Sequence, residues 1–298
     1  MEIGFVGLGK MGGNMVRRLL REGHAVAVND RDVGVVDSVV AAGAKRTSSL
    51  ADLVSKLTRP RAVWVMVPSG EPTEAVLSEL GELLSHGDVV VDGGNSNYHD
   101  SQRRGTELFR KGIHLVDVGT SGGVWGLQYG YCLMAGGEET AVARLAPLFR
   151  TLAPEDGWLH CGPSGAGHYV KMVHNGVEYA LMQAYAEGFE LMQASGLSLD
   201  NARIARLWMK GSVVRSWLLE LAAHALETNP GFDGIAPWVA DSGEGRWTVV
   251  ESVDRAVPTP TITAALQARF RSRQDPSYAS QFLNALRNEF GGHAVKKA

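Results

Sequence analysis

The segment that most constrains the fold is the glycine-rich run at residues 7–12, which reads Gly7-Leu8-Gly9-Lys10-Met11-Gly12. A β-prone run (2–6) precedes it, a helical pattern follows it, and a second apolar run (25–28) comes next. In that context the first glycine allows a tight turn and the second lets backbone amides approach a pyrophosphate. The third allows close packing of helix on strand. A plain flexible loop is the alternative, but an acidic residue about 20 positions on favours a dinucleotide site.

The acidic residue that follows the second apolar run bears on which dinucleotide binds. Asp30, between Asn29 and Arg31, can accept hydrogen bonds from a ribose 2′-hydroxyl and repels a 2′-phosphate. This favours NAD, although the guanidinium of Arg31 can hold a phosphate and leaves NADP as the alternative. We predict that Asn29, Asp30 and Arg31 contact the cofactor.

Further apolar runs alternate with helical stretches, at residues 62–67, 88–92, 114–118 and 131–134. This rhythm predicts an α/β fold with an N-terminal Rossmann-type, doubly wound parallel sheet, over residues 1–163. Ligands of such sheets lie at the carboxyl ends of the strands. We therefore expect cofactor contacts at Val67 and Pro68, after the run 62–67, and at Asn95, after the run 88–92. A third loop, residues 119–123, is expected at the same edge of the sheet.

The second half shows no strand rhythm, and residues 164–298 are predicted to form an all-helical domain for substrate binding and oligomerisation. Ser198 is expected to cap a helix over 199–210, and a second helix is expected over 212–228. Later helices are expected near Thr248, over 262–273 and over 277–290.

Five different polar side chains share one helical stripe in the middle of the chain. They fall at i, i+3, i+4, i+7 and i+8, and are Lys171, His174, Asn175, Glu178 and Tyr179. Residues on the opposite arc, including Val170, Val177 and Leu181, are expected to pack into a core. A solvated polar face is the alternative, but such faces are mostly repeated Lys, Glu and Arg. We interpret the stripe as a catalytic face.

Composition limits the partners. The chain has 298 residues, a formal net charge of −3 and two cysteines, Cys132 and Cys161. These values give no case for nucleic acid, an anionic membrane or a disulfide framework, and no Cys/His spacing suggests a metal. No apolar run is long enough to span a membrane and no leader is apparent, so a cytoplasmic protein is expected. Several late cations could together bind phosphate, namely Arg246, Arg269, Arg287 and His293.

Taken together, these motifs resemble those of the decarboxylating 6-phosphogluconate dehydrogenases, in particular a short bacterial form. The matching segments cover nearly the whole chain and are residues 7–12, 92–96, 121–123, 165–168, 171–179, 245–248, Arg269 and the 287–293 tail. The helix stripe together with Asp92-Gly93-Gly94-Asn95-Ser96 is the most specific part of the resemblance.

The resemblance implies roles for individual residues. Lys171 would be the base that removes the proton from the C3 hydroxyl, and Glu178 the acid that protonates C1 after decarboxylation. The sugar acid's carboxylate and hydroxyls would be held by Asn95, Ser121, Gly122, Gly123, His174 and Asn175. Its phosphate would be held by Tyr179, Arg269, Arg287 and His293. The family's tail reaches a neighbouring subunit, which implies a homodimer or homotetramer.

The chain also departs from the family. The longer members have a second helical half that is absent here, and Ser242 stands where a lysine is usual. A 3-hydroxyisobutyrate-type dehydrogenase, which shares a catalytic lysine followed by an asparagine four residues on, is a rival interpretation. A non-catalytic NAD-sensing module is a second rival from another class.

Overall fold

The computed structural model describes the backbone of residues 1–291 and the side chains up to residue 289. The chain divides into two compact units, residues 1–175 and a second unit that begins at Gly176. The division falls inside a long helix, α8 (Ala166–Ala194). The predicted domain boundary after residue 163 remains a prediction.

The first unit contains eight strands in one sheet. They are β1 (Glu2–Val6), β2 (Ala25–Asn29), β3 (Lys45–Arg46), β4 (Ala62–Val65), β5 (Val89–Asp92), β6 (His114–Ser121), β7 (Cys132–Gly136) and β8 (Trp158–Gly162). The intervening helices are α1 (Lys10–Arg21), α2 (Val33–Val40), α3 (Leu50–Ser55), α4 (Glu71–Leu83), α5 (Tyr98–Phe109), α6 (Gly126–Tyr129) and α7 (Glu139–Leu152). Helix α8 (Ala166–Ala194) follows β8.

Helices cover both faces of the sheet, which explains why its central strands are continuous apolar runs rather than alternating ones. Strand β4 is buried along its whole length. On one face, Trp64 packs with Phe5 and Phe149. On the other face, Val63 and Val90 pack in a second cluster with Leu80. The sheet is therefore a rigid, buried platform.

The strand order is β3-β2-β1-β4-β5-β6-β7-β8. This confirms the predicted doubly wound α/β fold, with one reversal that the sequence did not reveal. Strand β7 pairs antiparallel with β6, and β8 pairs parallel with β7. The link between β6 and β7, residues 122–131, is too short for a parallel crossover, which takes about a dozen residues or more. Strands β7 and β8 therefore run opposite to β1–β6.

The second unit is helical, as predicted. After α8 it contains α9 (Asn201–Trp208), α10 (Trp217–Thr228), α11 (Glu244–Asp254), α12 (Pro260–Arg271) and α13 (Tyr278–Gly291). Its core contains Phe189, Leu219 and Leu226. No helix in the described part of the chain is both long enough and apolar enough to cross a membrane.

Three predicted helix starts in this unit were wrong. Ser198 does not cap α9, because Asp200 does so by accepting from the backbone amide of Arg203. Ser216 caps α10, by accepting from the amide of Leu219, so this helix starts later than residue 212. Helix α11 starts at Glu244 rather than near Thr248, and its N-cap is Gly243, whose φ is 104°.

Candidate active site

The glycine-rich turn between β1 and α1 has the geometry that a bound pyrophosphate requires. Gly7 has a φ of 91°, and a Cβ there would lie 2.4 Å from the carbonyl oxygen of Met66. A Cβ at Gly12 would lie 2.1 Å from the carbonyl oxygen of Gly7, whereas Gly9 faces open space. No side chain caps the first amides of α1. These amides and the open space beside Gly9 fit a dinucleotide phosphate.

The remaining residues of this turn differ in exposure. Leu8 is buried, Met11 is half-buried and Lys10 is exposed. Val67 is half-buried and Pro68 exposed, just beyond the end of β4 at Val65. All of them lie at the carboxyl-end edge of the sheet, as predicted.

Asp30 is connected to the glycine-rich turn. One carboxylate oxygen accepts from the Leu8 amide at 2.5 Å, and the other accepts from the Asp32 amide at 2.8 Å. Asn29 lies beside it and donates to Thr47 Oγ1 at 3.3 Å, and Arg31 is exposed. Each carboxylate oxygen has more than one lone pair, so Asp30 can also accept from a ribose hydroxyl. The same side chain thus shapes the turn and has acceptor capacity left for a ligand.

A buried ion pair between Asp92 and Arg104 holds the loop that follows β5. The Asp92 carboxylate accepts from Ser96 Oγ at 2.7 Å and from the Gly94 amide at 3.2 Å. Arg104 of α5, which is 3% exposed, lies 3.4 Å from the same carboxylate and donates to Glu74 at 2.8 Å. Asn95 stands exposed at the tip of this fixed loop.

The beginning of α8 is held by a second buried carboxylate. Asp117 of β6 accepts from the backbone amides of Gly165 at 2.6 Å and His168 at 2.9 Å. His168 Nδ1 lies 2.7 Å from Ser101 Oγ of α5. Because Asp117 accepts hydrogen bonds from amides at the start of α8, it fixes the position of this helix along β6.

Helix α8 then runs beside β6 in the same direction. A Cβ at Gly119 would lie 2.3 Å from the Cβ of Lys171, so strand and helix meet at backbone distance. Two residues later, Ser121 Oγ lies 3.4 Å from His174 Nε2. The sequence therefore brings Lys171 and His174 to the edge of the sheet where β6 ends. Gly122 and Gly123 follow Ser121 at that edge.

Lys171, Asn175 and His174 form a hydrogen-bonded set. Lys171 Nζ donates to Asn175 Oδ1 at 2.5 Å, and His174 Nδ1 lies 3.0 Å from the same oxygen. An ammonium only donates, so the amide oxygen must face it, and His174 then carries its proton on Nδ1. In the neutral ring, His174 Nε2 is then an acceptor, and it lies 3.4 Å from Ser121 Oγ. Lys171 is 6% exposed and Asn175 8%.

Burial along α8 is the reverse of what the amphipathic pattern suggested. The polar side chains of Lys171, Asn175 and Tyr179 are buried, whereas Val170 and Val177 are 39% and 46% exposed. The prediction that the apolar arc packs into the chain's own core was therefore wrong. Hydrogen bonds satisfy the buried polar groups, whereas Val170, Val177 and Leu181 of the apolar arc stay exposed. The alternative of a solvated polar face is also excluded.

In the second unit, Tyr179 lies at the centre of a small polar cluster. The Arg269 guanidinium lies 3.5 Å from the centroid of the Tyr179 ring. The Ser242 amide donates to the Tyr179 hydroxyl at 3.2 Å, and Ser242 Oγ donates to Glu244 at 2.5 Å. A Cβ at Gly245 would meet the Tyr179 ring at 2.4 Å, which explains the glycine there.

A buried carboxylate next to this cluster holds two more cations. Asp241 accepts from Arg246 Nε at 2.8 Å and from Arg273 Nη2 at 2.8 Å. The hydrogen bond from Arg246, followed by the one from Arg273, lowers the pKa of Asp241. Asp241 therefore stays ionised and fixes both guanidinium groups.

Other predicted residues are less constrained. Glu178 is half-buried on α8, and Arg287 is exposed on α13. His293 lies outside the described residues. Among the described residues, no group of three His, Cys, Asp or Glu side chains is arranged to hold a metal ion.

Five supporting residues were not predicted from the sequence, namely Asp117, Ser101, Arg104, Asp241 and Arg273. One signal was available, since an aspartate inside the apolar run 114–118 is unlikely to be buried without a partner. Ser101 and Arg104 lie on the amphipathic helix α5, and Asp241 and Arg273 lie outside helices and strands.

Comparison with known proteins identifies the family. Residues 2–162 match the family model of the NAD binding domain of 6-phosphogluconate dehydrogenase, and residues 167–297 match that of the 6-phosphogluconate dehydrogenase C-terminal domain. The chain belongs to the 6-phosphogluconate dehydrogenase family. The resemblance inferred from the motifs is confirmed.

Two members of the family differ in how much of their length this chain covers. An NAD(+)-dependent, decarboxylating 6-phosphogluconate dehydrogenase of Haloferax volcanii is 44% identical over 100% of this chain and 99% of its own length. The solved 6-phosphogluconate dehydrogenase of Plasmodium falciparum has a TM-score of 0.85 and 27% identity. This chain covers only 66% of that longer protein.

The predicted rival is also similar in fold. A 3-hydroxyisobutyrate dehydrogenase of Mycobacterium tuberculosis has a TM-score of 0.75 over 96% of the chain, at 23% identity. Identity at that level shows a shared fold alone. The family models favour 6-phosphogluconate dehydrogenase, so the rival interpretation is the weaker one.

Proposed function

We propose that this chain catalyses the oxidative decarboxylation of 6-phosphogluconate to ribulose 5-phosphate and CO₂, with NAD as the hydride acceptor. The observation that carries the proposal is the hydrogen-bonded set at the carboxyl-end edge of the sheet, in which Lys171 and Asn175 are buried and His174 and Ser121 are half-buried. Family membership supplies the substrate class, because the relatives are named for this reaction. A mere NAD sensor has no need of a buried lysine held this way.

Lys171 is proposed as the base. The C3 hydroxyl of the sugar acid loses its proton to the lysine amine while the hydrogen on C3 leaves as hydride. Bound NAD supplies the acceptor for that hydride. The β-keto acid so formed loses CO₂ readily, because its ketone accepts the electron pair as an enolate. Protonated Lys171 then donates a hydrogen bond to the developing oxyanion.

Two neighbours prepare Lys171 for this task. Asn175 Oδ1 fixes the amine, so that little side-chain freedom is lost when the substrate binds. Gly119 lets the lysine backbone approach β6, which sets the distance to the Ser121 loop. The amine must be neutral to act as a base and charged to stabilise the oxyanion.

Glu178 is proposed as the general acid that protonates C1 of the enediol. A base and an acid on the same side of one helix can respectively remove a proton from the substrate and donate one to the enediol. Asn95, Ser121, Gly122, Gly123, His174 and Asn175 are proposed to hold the carboxylate and hydroxyls. Tyr179 and Arg269, with Arg287 and His293, are proposed to hold the phosphate.

NAD is proposed in preference to NADP. Asp30 places a carboxylate after β2, where a 2′-phosphate would be repelled. The Haloferax volcanii relative is named as NAD(+)-dependent, which supports this preference. Gly7, Leu8, Gly9, Lys10, Met11 and Gly12 are proposed to hold the pyrophosphate, and Asn29, Asp30, Arg31, Val67, Pro68 and Asn95 the rest of the dinucleotide.

A homo-oligomer, with the tail of one copy completing the site of another, is proposed as well. Large apolar side chains are exposed on the helices of the second unit, among them Leu207 (65%), Val253 (73%) and Phe282 (54%). Single exposed apolar residues are normal, but a set of this size on one helical unit favours contact with another copy.

One assay tests the function. Purified protein is supplied with 6-phosphogluconate or 3-hydroxyisobutyrate, each with NAD or NADP, and both reduced cofactor and released CO₂ are measured. We expect equal amounts of NADH and CO₂ from 6-phosphogluconate. NADH without CO₂, or turnover of 3-hydroxyisobutyrate alone, would contradict the proposal.

A further inference from the structure

Asp241 holds two arginines, Arg246 and Arg273, whose pairing no sequence pattern predicts. Its side chain is 4% exposed, and it accepts from Arg246 through both Nε, at 2.8 Å, and Nη2, at 3.1 Å. Arg273 Nη2 donates to the same carboxylate at 2.8 Å. A buried carboxylate shared by two guanidinium groups is fixed in place, and it fixes them in turn.

The way Arg246 is held leaves its outer edge available. A guanidinium presents two forks, one formed by Nε and Nη2 and one formed by the two Nη atoms. Asp241 takes the first fork, and the Arg246 side chain is still 52% exposed. The second fork has the geometry for bidentate binding of a phosphate.

Aromatic packing restricts the same two guanidinium groups. Arg246 lies 4.6 Å from the centroid of Phe270, and Arg273 lies 5.3 Å from it. Contacts between cations and ring faces add attraction and limit rotation. Arg246 is therefore pre-organised, and a ligand need not order it on binding.

Three consecutive residues, 240–242, connect Arg246 and Arg273 to Tyr179 and Arg269. Arg269 Nη1 donates to the carbonyl of Ala240 at 2.8 Å, and the Ser242 amide donates to the Tyr179 hydroxyl at 3.2 Å. Asp241 lies between Ala240 and Ser242. Three guanidinium groups are thus attached to one short segment, against two carboxylates, those of Asp241 and Glu244.

We propose that Arg246 binds the substrate phosphate through its outer fork, and that Asp241 and Arg273 are positioning residues that aim it. This inference rests on the proposed function, since the anion is the phosphate of the sugar acid. It assigns to Arg246 part of the phosphate binding for which Ser242 offers only a hydroxyl.

The first test is equilibrium binding of 6-phosphogluconate and of gluconate, by calorimetry without NAD. In Arg246→Gln we expect affinity for 6-phosphogluconate to fall by about 30-fold or more, the usual cost of truncating one partner of a charge pair. Affinity for gluconate, which has no phosphate, should stay within about twofold of the intact protein. Arg271→Gln is the matched control, because Arg271 contacts Ser277 and Ser280 instead.

The second test separates positioning from contact. Asp241→Asn and Arg273→Gln should each raise KM for 6-phosphogluconate by about 3–10-fold with kcat nearly unchanged, because uniform substrate binding is lost. Arg273→Lys should restore most of the loss. A merely structural role would instead change kcat and the midpoint of thermal unfolding, with no rescue by lysine.

The outcomes are decisive in both directions. Equal loss of 6-phosphogluconate and gluconate binding in Arg246→Gln, or no loss of either, overturns the inference. An intact protein that fails to bind 6-phosphogluconate also overturns it. An intact protein that binds 6-phosphogluconate through Arg246 but releases no CO₂ supports the phosphate site and contradicts only the proposed function.

Discussion

Among single residues, Lys171 is the one whose surroundings most restrict its role. Its amine is buried, and Asn175 Oδ1 orients it at 2.5 Å. We predict that Lys171→Ala lowers kcat by about 10²–10⁴-fold, since general-base catalysis is worth that much. The binding of NAD, measured by fluorescence titration, should be nearly unchanged.

A matched control for this substitution is Lys111→Ala. Lys111 is a surface residue of the first unit, paired with Glu82 at 2.6 Å. The kcat of Lys111→Ala should equal that of the unsubstituted protein. If Lys171→Ala retained turnover, the assignment of the base would be wrong.

Asp30 has two roles that a substitution would separate. Asp30→Arg should shift the ratio of kcat/KM values towards NADP, because the 2′-phosphate is no longer repelled. It should also lower kcat/KM with both cofactors, because the Leu8 amide loses its acceptor.

Asp30→Asn is the comparison for that experiment. It retains an acceptor for the Leu8 amide but removes the charge, so we expect a smaller shift in preference and little general loss. An unchanged cofactor ratio in both variants would remove Asp30 from the account of specificity.

His24 predicts a pH dependence of stability. The ring is buried and lies 2.8 Å from Thr151 Oγ1, and burial lowers its pKa below the ordinary 6.5. As pH falls below 6.5, the unfolded chain binds a proton that the folded chain resists. The free energy of unfolding should therefore decrease with acidification in that range.

His24→Gln isolates this effect, because glutamine does not titrate. The difference in unfolding free energy between the two proteins should change between pH 7 and pH 5.5, in the direction that favours the variant at low pH. Urea unfolding at several pH values measures it, and a pH-independent difference would contradict the assignment.

At the scale of elements, α5 supports two parts of the candidate site. Arg104 pairs with Asp92 below the Asn95 loop, and Ser101 contacts His168 at the start of α8. Arg104→Gln should lower the free energy of unfolding by about 3–5 kcal/mol, because Asp92 is left buried without its cation. Equilibrium unfolding in urea measures the change.

The adjacent Arg103 provides the control. It pairs with the same Glu74 but is 45% exposed, so Arg103→Gln should cost no more than about 1 kcal/mol. Equal losses in the two variants would show that burial of the Asp92–Arg104 pair is not what matters.

Helices and strands were predictable where a short-range pattern determines them. The glycine-rich turn has its own strand and helix on either side, and α8 carries its polar residues at helical spacing. Helix starts were less predictable, since Ser198 and Asp200 both resemble caps and only the folded backbone selects Asp200.

Burial and strand direction could not be read from the same patterns. The apolar arc with Val170 and Val177 appeared to be a core face, but which face of α8 is covered depends on distant parts of the chain. The reversal at β7 depends on the length of the preceding link, which carries no periodic signal. Asp241 and Arg273 are 32 residues apart, and their pairing is a tertiary property.

At the scale of the whole molecule, the exposed apolar residues predict association. Phe282 and Leu283 on α13 are 54% and 59% exposed, close in sequence to Arg287. We predict that the protein is at least a dimer by light scattering, and that Phe282→Asp with Leu283→Asp yields monomers. Apolar surface of this kind is costly to leave in water. A monomeric intact protein would contradict the proposal.

Subunit mixing tests whether the tail acts in a neighbour. Lys171→Ala and Arg287→Gln are each expected to have low activity alone. If Arg287 serves the other copy, a mixed dimer has one site with both residues intact, and random exchange should restore about a quarter of full activity. No recovery after exchange would place Arg287 in its own subunit's site or outside any site.

The single reversal in the sheet determines where the proposed base ends up. A helix that follows one of the strands β1–β6 runs away from the edge of the sheet where those strands end. Helix α8 instead follows β8, which is antiparallel to β6. It therefore runs parallel to β6, towards the edge where β6 ends. The number of strand reversals must therefore be odd for Lys171 to arrive beside Ser121. Loops and helices after β6 can change in length during evolution or design, but a second reversal would carry the amine to the opposite end of the sheet.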